Sequence, residues 1–268
     1  MTSSPWVRYF TRYLGLGYIF VLLIIPVALI LWRTFEPGFG QFYDWVSTPA
    51  AISALNLSLL VVAIVVPLNV VFGIPTALVL ARNKFRGKGV LQAVIDLPFA
   101  VSPVIVGVAL ILLWGSAGAL GFVENDFGLK IIFGLPGIVL ASIFVTLPFV
   151  VREVAPVLRE VGDEQEQAAA TLGASRRQTF IRITLPAIRW GIAYGVVLST
   201  ARAIGEFGAV SVVSGRISGQ TETLTLLVQK RFENFDLAGA YAASALLAMI
   251  AMTTLLALTV IKPRKEHQ

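Results

Sequence analysis

Residues 166 to 191 read EQAAATLGASRRQTFIRITLPAIRWG. Between two long apolar runs, this stretch sets small residues beside Arg176, Arg177, Arg182 and Arg189. It is too polar to cross a lipid bilayer and too regular in pattern to be slack linker. The surrounding chain decides how to read it. Of the 268 residues 57% are hydrophobic and 13% charged, and the mean hydropathy is +0.83. Soluble domains carry roughly 25% charged residues, so the composition is that of an integral membrane protein. The quoted segment is its conspicuous water-side element.

A helix needs about 20 mainly apolar residues to cross the hydrocarbon core. Six stretches qualify: Tyr13–Trp32, Leu55–Ala81, Leu97–Trp114, Ile131–Val151, Trp190–Val213 and Leu237–Ile261. The fifth is interrupted by Arg202 and Glu206. The expected fold is all-α, with six transmembrane helices. Arg8 and Arg12 precede the first span as in a signal peptide, but LILWRTFEPG has no small-x-small cleavage site, so the helix reads as retained.

Six spans place both termini on one side, and the positive-inside rule selects which. Fifteen of the 21 Lys and Arg fall with the termini, in RNKFRGK (82–88), between Arg152 and Arg189, and in KPRK (262–265). Five fall on the opposite side: Arg33, Lys130, Arg216, Lys230 and Arg231. The termini and the quoted segment are therefore expected in the cytoplasm. The net charge of +6 is a topology device, and no nucleic-acid partner is expected. Residues 1–53 read as a leading helix with an external linker, 54–262 as one five-helix unit, and 263–268 as a cytoplasmic tail.

Within the water-side segment, about 163–182, Gly162 breaks the chain and Asp163 with Glu166 forms an Asp-x-x-Glu capping pattern. Acidic residues then occupy the first turn and Arg176 and Arg177 follow near the end, as the helix dipole favours. Ala168, Ala169 and Leu172 fall three and four apart, so they share a face almost free of bulk. Gly173 continues it and permits close approach or a sharp turn. A second piece, RRQTFIRI, leads to Leu185 and Pro186, with the proline suited to the first turn of the fifth span. A smooth face between charges suits cover by another protein; packing on its own bundle is the plainer alternative.

QAAATLGASRRQTFIRITLP resembles the cytoplasmic motif of ABC importer permeases: Glu-Ala-Ala, three residues, Gly, nine residues, Ile-x-Leu-Pro. After Gly173 and nine intervening residues come Ile183, Leu185 and Pro186. Gln167 stands where the motif has glutamate, with Glu166 directly before it. The resemblance implies a type I permease fold in which Glu166, Gln167, Ala168, Ala169, Leu172, Gly173 and Ala174 form a coupling helix docked on an ATPase subunit. The stretches PLNVVFGIP (67–75), DLPFAVSPVIVG (96–107) and ARAIGEFGAVSVVSGRISGQTETLTLLV (201–228) are similar to the sulfate/thiosulfate subgroup, to its second permease subunit, over about residues 54 to 262. Molybdate and tungstate permeases are the nearest neighbours. The implied partners are an ATPase dimer, a second permease, a periplasmic sulfate/thiosulfate-binding protein and the lipid of a bacterial cytoplasmic membrane.

Arg202 lies 16 residues beyond Pro186, about 24 Å along a helix, close to mid-bilayer. An arginine there costs roughly 2.5–3.5 kcal/mol on insertion scales, so it should face a partner or water. Glu206, one turn on, makes a structural ion pair one reading. The other is that Arg202 lines a pathway and offers its guanidinium to a tetrahedral oxyanion. Asn56, Asn69 and Gln92 suit hydrogen bonds between helices.

The chain contains no cysteine, and its one histidine is His267, so thiolate or histidine chemistry and metal ligation are not expected. RGKGVL has the wrong spacing for a phosphate loop. The chain is expected to be non-catalytic and to hold no cofactor or metal, with ATP and Mg used by the partner ATPase. An autonomous secondary anion transporter is the alternative of different kind; six spans without a visible inverted repeat count against it.

Overall fold

A computed structural model describes residues 5–261; the KPRK run, His267 and the 263–268 tail lie outside them. All regular structure among the described residues is helical. In chain order the elements are α1 (Pro5–Ile19), a π-helical turn (Phe20–Ile24), α2 (Ile25–Phe35), α3 (Phe39–Val46), α4 (Pro49–Arg82), α5 (Lys88–Ala100), α6 (Pro103–Trp114) and α7 (Phe122–Phe127). They continue as α8 (Leu135–Val161), α9 (Glu164–Thr171), α10 (Arg176–Thr179), a second π turn (Phe180–Thr184), α11 (Leu185–Ile204), α12 (Val210–Val213), α13 (Leu224–Glu233) and α14 (Leu237–Ile261). Among the described residues, five helical stretches are long and apolar enough to cross a membrane, or six when the bent α5–α6 pair is counted as one broken span.

The centre is a trio, α4, α8 and α11. Thr48 caps α4 by accepting from the Ala51 amide at 3.3 Å, and Pro49 occupies its first turn, where a missing N–H costs nothing. Ala51, Ala54, Ser58, Val61, Val65, Asn69, Gly73, Ala77 and Leu80 are all buried. Their spacing of three and four draws one stripe down the 34-residue helix. Close approach of the trio rests on glycine. A Cβ at Gly73 would sit 2.8 Å from Val150 Cγ1, and one at Gly195 would sit 2.9 Å from Val150 Cα. At mid-height the fully buried Asn69 donates to Thr146 Oγ1 at 2.7 Å and Ser199 Oγ at 3.3 Å, tying the three helices together. Asn69 thus makes the interhelical bonds expected of it, whereas Asn56 and Gln92 lie on exposed faces.

The span Tyr9–Phe35 leans on α14 through α2, its side chains otherwise turned outward. Thr34 anchors it, donating to Ile30 O at 2.8 Å and Tyr241 O at 3.0 Å. At the same end, Arg231 of α13 donates to Trp45 O, Thr48 Oγ1 and Gly239 O, stapling α13 to the α3–α4 junction and to the start of α14.

Two expected spans are interrupted. Leu97–Trp114 is not one helix: α5 and α6 meet at 114°. Val101 (ψ 136°) and Ser102 (ψ 132°) are extended; Pro103 disfavours helical geometry in the residue before it, and it has no N–H to continue the ladder. The expected Trp190–Val213 helix ends at Ile204, and the chain unwinds from Gly205 before the short α12. Gly208 lies against Pro103, where a Cβ would come within 2.8 Å of the proline Cβ. The two interruptions therefore pack on each other.

Candidate functional site

The segment quoted at the outset forms an elbow, α9–α10 and the second π turn, projecting from the end of the bundle where α8 finishes. Gly162 turns the chain with φ 69°. The Asp163 side chain makes no cap, so the expected Asp-x-x-Glu box does not form. Glu166 points inward instead, accepting from Arg82 Nη2 at 3.1 Å and Thr184 Oγ1 at 2.8 Å. Arg82 also donates to the Leu158 carbonyl at 2.9 Å, an acceptor left open in the last turn of α8. One guanidinium thus joins the ends of α4 and α8 to the elbow. The capping box belongs to α10: Ser175 accepts from the Gln178 amide, and the Gln178 side chain accepts from the Ser175 amide.

Gly173 (φ 83°) closes α9 by a Schellman arrangement: its amide donates to Ala170 O and that of Ala174 to Ala169 O, both at 3.0 Å. With the elbow fixed this way, Gln167 and Ala168 are exposed and Ala169 half-buried. Leu172, 88% exposed, is a large apolar side chain standing clear of the protein. Ala174, Ile183 and Leu185 are half-buried, Thr184 is buried, and Pro186 lies exposed in the first turn of α11.

The second constellation lies inside the bundle. α8 and α11 run antiparallel, with Gly195 against Val150 and Gly191 against Glu153, Val154 and Val157. Arg202 is therefore level with the stretch near Val145, in the last turn of α11. Its Nη1 lies 2.7 Å from Glu206 Oε2. Glu206 is nearly fully buried and accepts from the Ala209 amide at 2.9 Å, so its carboxylate is pinned. Arg202 keeps a third of its side chain exposed, toward a cleft of about 400 Å³ lined by Phe99, Ser102, Pro103, Val145 and Phe149. The α5–α6 break opens onto it, and Ser102 makes no side-chain cap to the free amides of α6. The donors of Arg202 not taken by Glu206 and the free amides of α6 border this cleft, so it offers hydrogen-bond donors to a guest.

Residue spacing alone misses two links between residues distant in sequence: Arg82–Glu166–Thr184 and the pair of Arg152 with Asp96, Nη2 to Oδ1 at 2.8 Å. The partners are tens of residues apart, and only the fold brings them together.

A family model described as "Binding-protein-dependent transport system inner membrane component" matches residues 69–266. The chain is similar to the sulfate transport system permease protein CysW of Synechocystis sp., 45% identical over 97% of this chain and 95% of that protein. It is 42% identical to CysW of Escherichia coli (strain K12), over 98% and 90%, and 34% identical to the sulfate permease protein CysT of that strain, over 95% and 93%. Among solved structures it is similar in fold to a chain of a bacterial alginate ABC importer in complex with an alginate-bound periplasmic protein, with TM-score 0.76, 18% identity and coverage of 97% and 94%.

Proposed function

Because the chain belongs to the binding-protein-dependent transport system inner membrane component family, we propose that it is the membrane-spanning permease subunit of an ATP-driven ABC importer for sulfate. The observation that carries the substrate is the 42–46% identity, along nearly the whole chain, to sulfate permeases of separate organisms. Thiosulfate has the same charge and a similar tetrahedral shape, so it falls within the proposal.

The chain sits in the bacterial cytoplasmic membrane with both termini and the elbow inside. The elbow is the coupling helix: Gln167, Ala168 and Leu172 present the exposed face to the ATPase, and Arg82–Glu166–Thr184 carries its displacement into α4, α8 and α11. Gln167 docks without a charge, because the neighbouring Glu166 is already engaged within the chain. A second permease completes the conduit, and the periplasmic binding protein delivers the anion at the α13 end. ATP and Mg act in the ATPase, whose closure turns the cleft outward; hydrolysis resets it inward. Arg202 meets the anion with its remaining donors while Glu206 holds its position and tempers its charge. Weak binding suits conduction, since a deep trap would stop release.

Complementation of a permease-deleted strain, read by uptake of labelled sulfate and molybdate, tests the reading. Sulfate uptake should return with this chain and fall roughly 10- to 100-fold with Arg202→Gln at equal abundance, the effect of losing a charged hydrogen bond worth about 1.5–3 kcal/mol. Restoration of molybdate uptake alone would overturn the substrate, and wild-type uptake in the variant would remove Arg202 from the pathway.

A further inference from the structure

Below the Arg202 cleft, along the same face of α8, lies a second arrangement of the same kind. Arg152 of α8 grips Asp96 of α5 with Nε at 2.9 Å and Nη2 at 2.8 Å, both on Oδ1. It stands about nine residues along α8 from the level of Arg202, roughly 13 Å nearer the elbow. Between them Phe99 and Phe149 meet edge to face with ring centroids 5.4 Å apart, and both also line the Arg202 cleft. Arg152 covers the other side of this pair, its guanidinium carbon 4.2 Å from the Phe99 centroid.

The two ion pairs differ in how firmly the acid is held. Glu206 is buried and bound to an amide, so it cannot leave Arg202. Asp96 is a third exposed and Arg152 about half exposed, and among the described residues the bonds to Asp96 fall on Oδ1 alone. Arg159, two helical turns beyond Arg152, lines the same small pocket of about 90 Å³ as Arg152, Asp96 and Gln92. Two arginines against one carboxylate leave that pocket net positive. Arg152 is about half exposed and stands at the cytoplasmic end of its span, where this face meets water or protein.

From these contacts we propose that Arg152 is a second oxyanion station, on the cytoplasmic side of the Phe99–Phe149 pair, from which Asp96 is displaced by the passing dianion. The inference rests on the sulfate-permease reading. The anion passes from Arg202, through the aromatic pair, to Arg152. Its arrival there replaces the Asp96 bonds and draws the guanidinium off the Phe99 ring, so that occupancy of the station bears on the aromatic gate. On departure Asp96 returns and Arg152 regains a partner, which keeps the release site from holding its cargo.

The chain has no native cysteine, so single cysteines report each station separately in the assembled complex. Gln92→Cys reads the inner pocket and Ala100→Cys the Arg202 cleft, each as a rate of modification by an anionic methanethiosulfonate in inside-out vesicles with and without sulfate. At sulfate a few times its dissociation constant, mass action predicts roughly three- to fivefold slowing at both positions. Arg152→Gln should abolish protection at Gln92→Cys while sparing Ala100→Cys; Arg152→Lys, which keeps the charge but not the fork, should retain part of it. ATP hydrolysis by each complex verifies assembly. Protection at Gln92→Cys that survives Arg152→Gln, or protection confined to Ala100→Cys, overturns the inner station and leaves the sulfate reading standing. Absence of protection at both positions removes the sulfate reading and the station with it.

Discussion

Arg82 shows how a single side chain acquires a role from its surroundings. In the sequence it is one of a run of basic residues at a loop and counts only toward topology. In the structure its guanidinium serves the Leu158 carbonyl and the Glu166 carboxylate together. The pair is 18% and 25% exposed. Breaking it should therefore cost about 1–2 kcal/mol, between a surface pair and a fully buried one. Arg82→Met should lower the thermal midpoint of the purified complex by a few degrees. It should also uncouple it, with ATP hydrolysis persisting while sulfate uptake per ATP drops. Glu166→Gln, which still accepts from Thr184, should do the same more mildly. Coupling ratios equal to wild type in both variants would show the link to be idle. The Asp-x-x-Glu pattern misled because a carboxylate beside a buried-end arginine gains more from a charged partner than from a helix amide.

The packing of α4, α8 and α11 turns on one residue, Val150, held between Gly73 and Gly195. An added methyl at Gly195 meets the Val150 backbone, which cannot rotate away; one at Gly73 meets the valine side chain, which can yield slightly. Overpacking costs about 1–3 kcal/mol, so Gly195→Ala should destabilise the detergent-solubilised complex more than Gly73→Ala. Adding Val150→Ala should relieve part of the Gly73→Ala loss and little of the Gly195→Ala loss. Equal thermal midpoints for the two alanine variants would contradict that geometry. At this scale apolar periodicity located the spans but not their interruptions. Leu97–Trp114 is apolar throughout, so hydropathy reads straight across Val101 and Ser102. Pro103 was visible, but whether a proline kinks a helix or parts it depends on what fills the gap. Here Gly208 does, from the other broken helix.

Across the whole molecule, charge bias supplies an orientation that can be measured. In the cysteine-free chain, Gln165→Cys on α9 should react with a membrane-impermeant maleimide only after the cytoplasmic side is opened, and Ser218→Cys should react in intact spheroplasts. Both side chains are exposed; the reverse pattern would invert the topology. Composition, apolar run length and small-residue spacing were sufficient for an all-helical membrane chain and for the elbow, since hydrophobic length and local turn chemistry are properties of neighbouring residues. The Gly173 turn was legible for that reason, and so was the Arg202–Glu206 pair, four residues apart on one helix. Arg82 with Glu166, Arg152 with Asp96, Phe99 with Phe149 and the mutual packing of the two broken spans were decided only by tertiary structure. Their partners lie on different helices, and they meet because α4 and α5 both pack on α8 while α6 packs on α12.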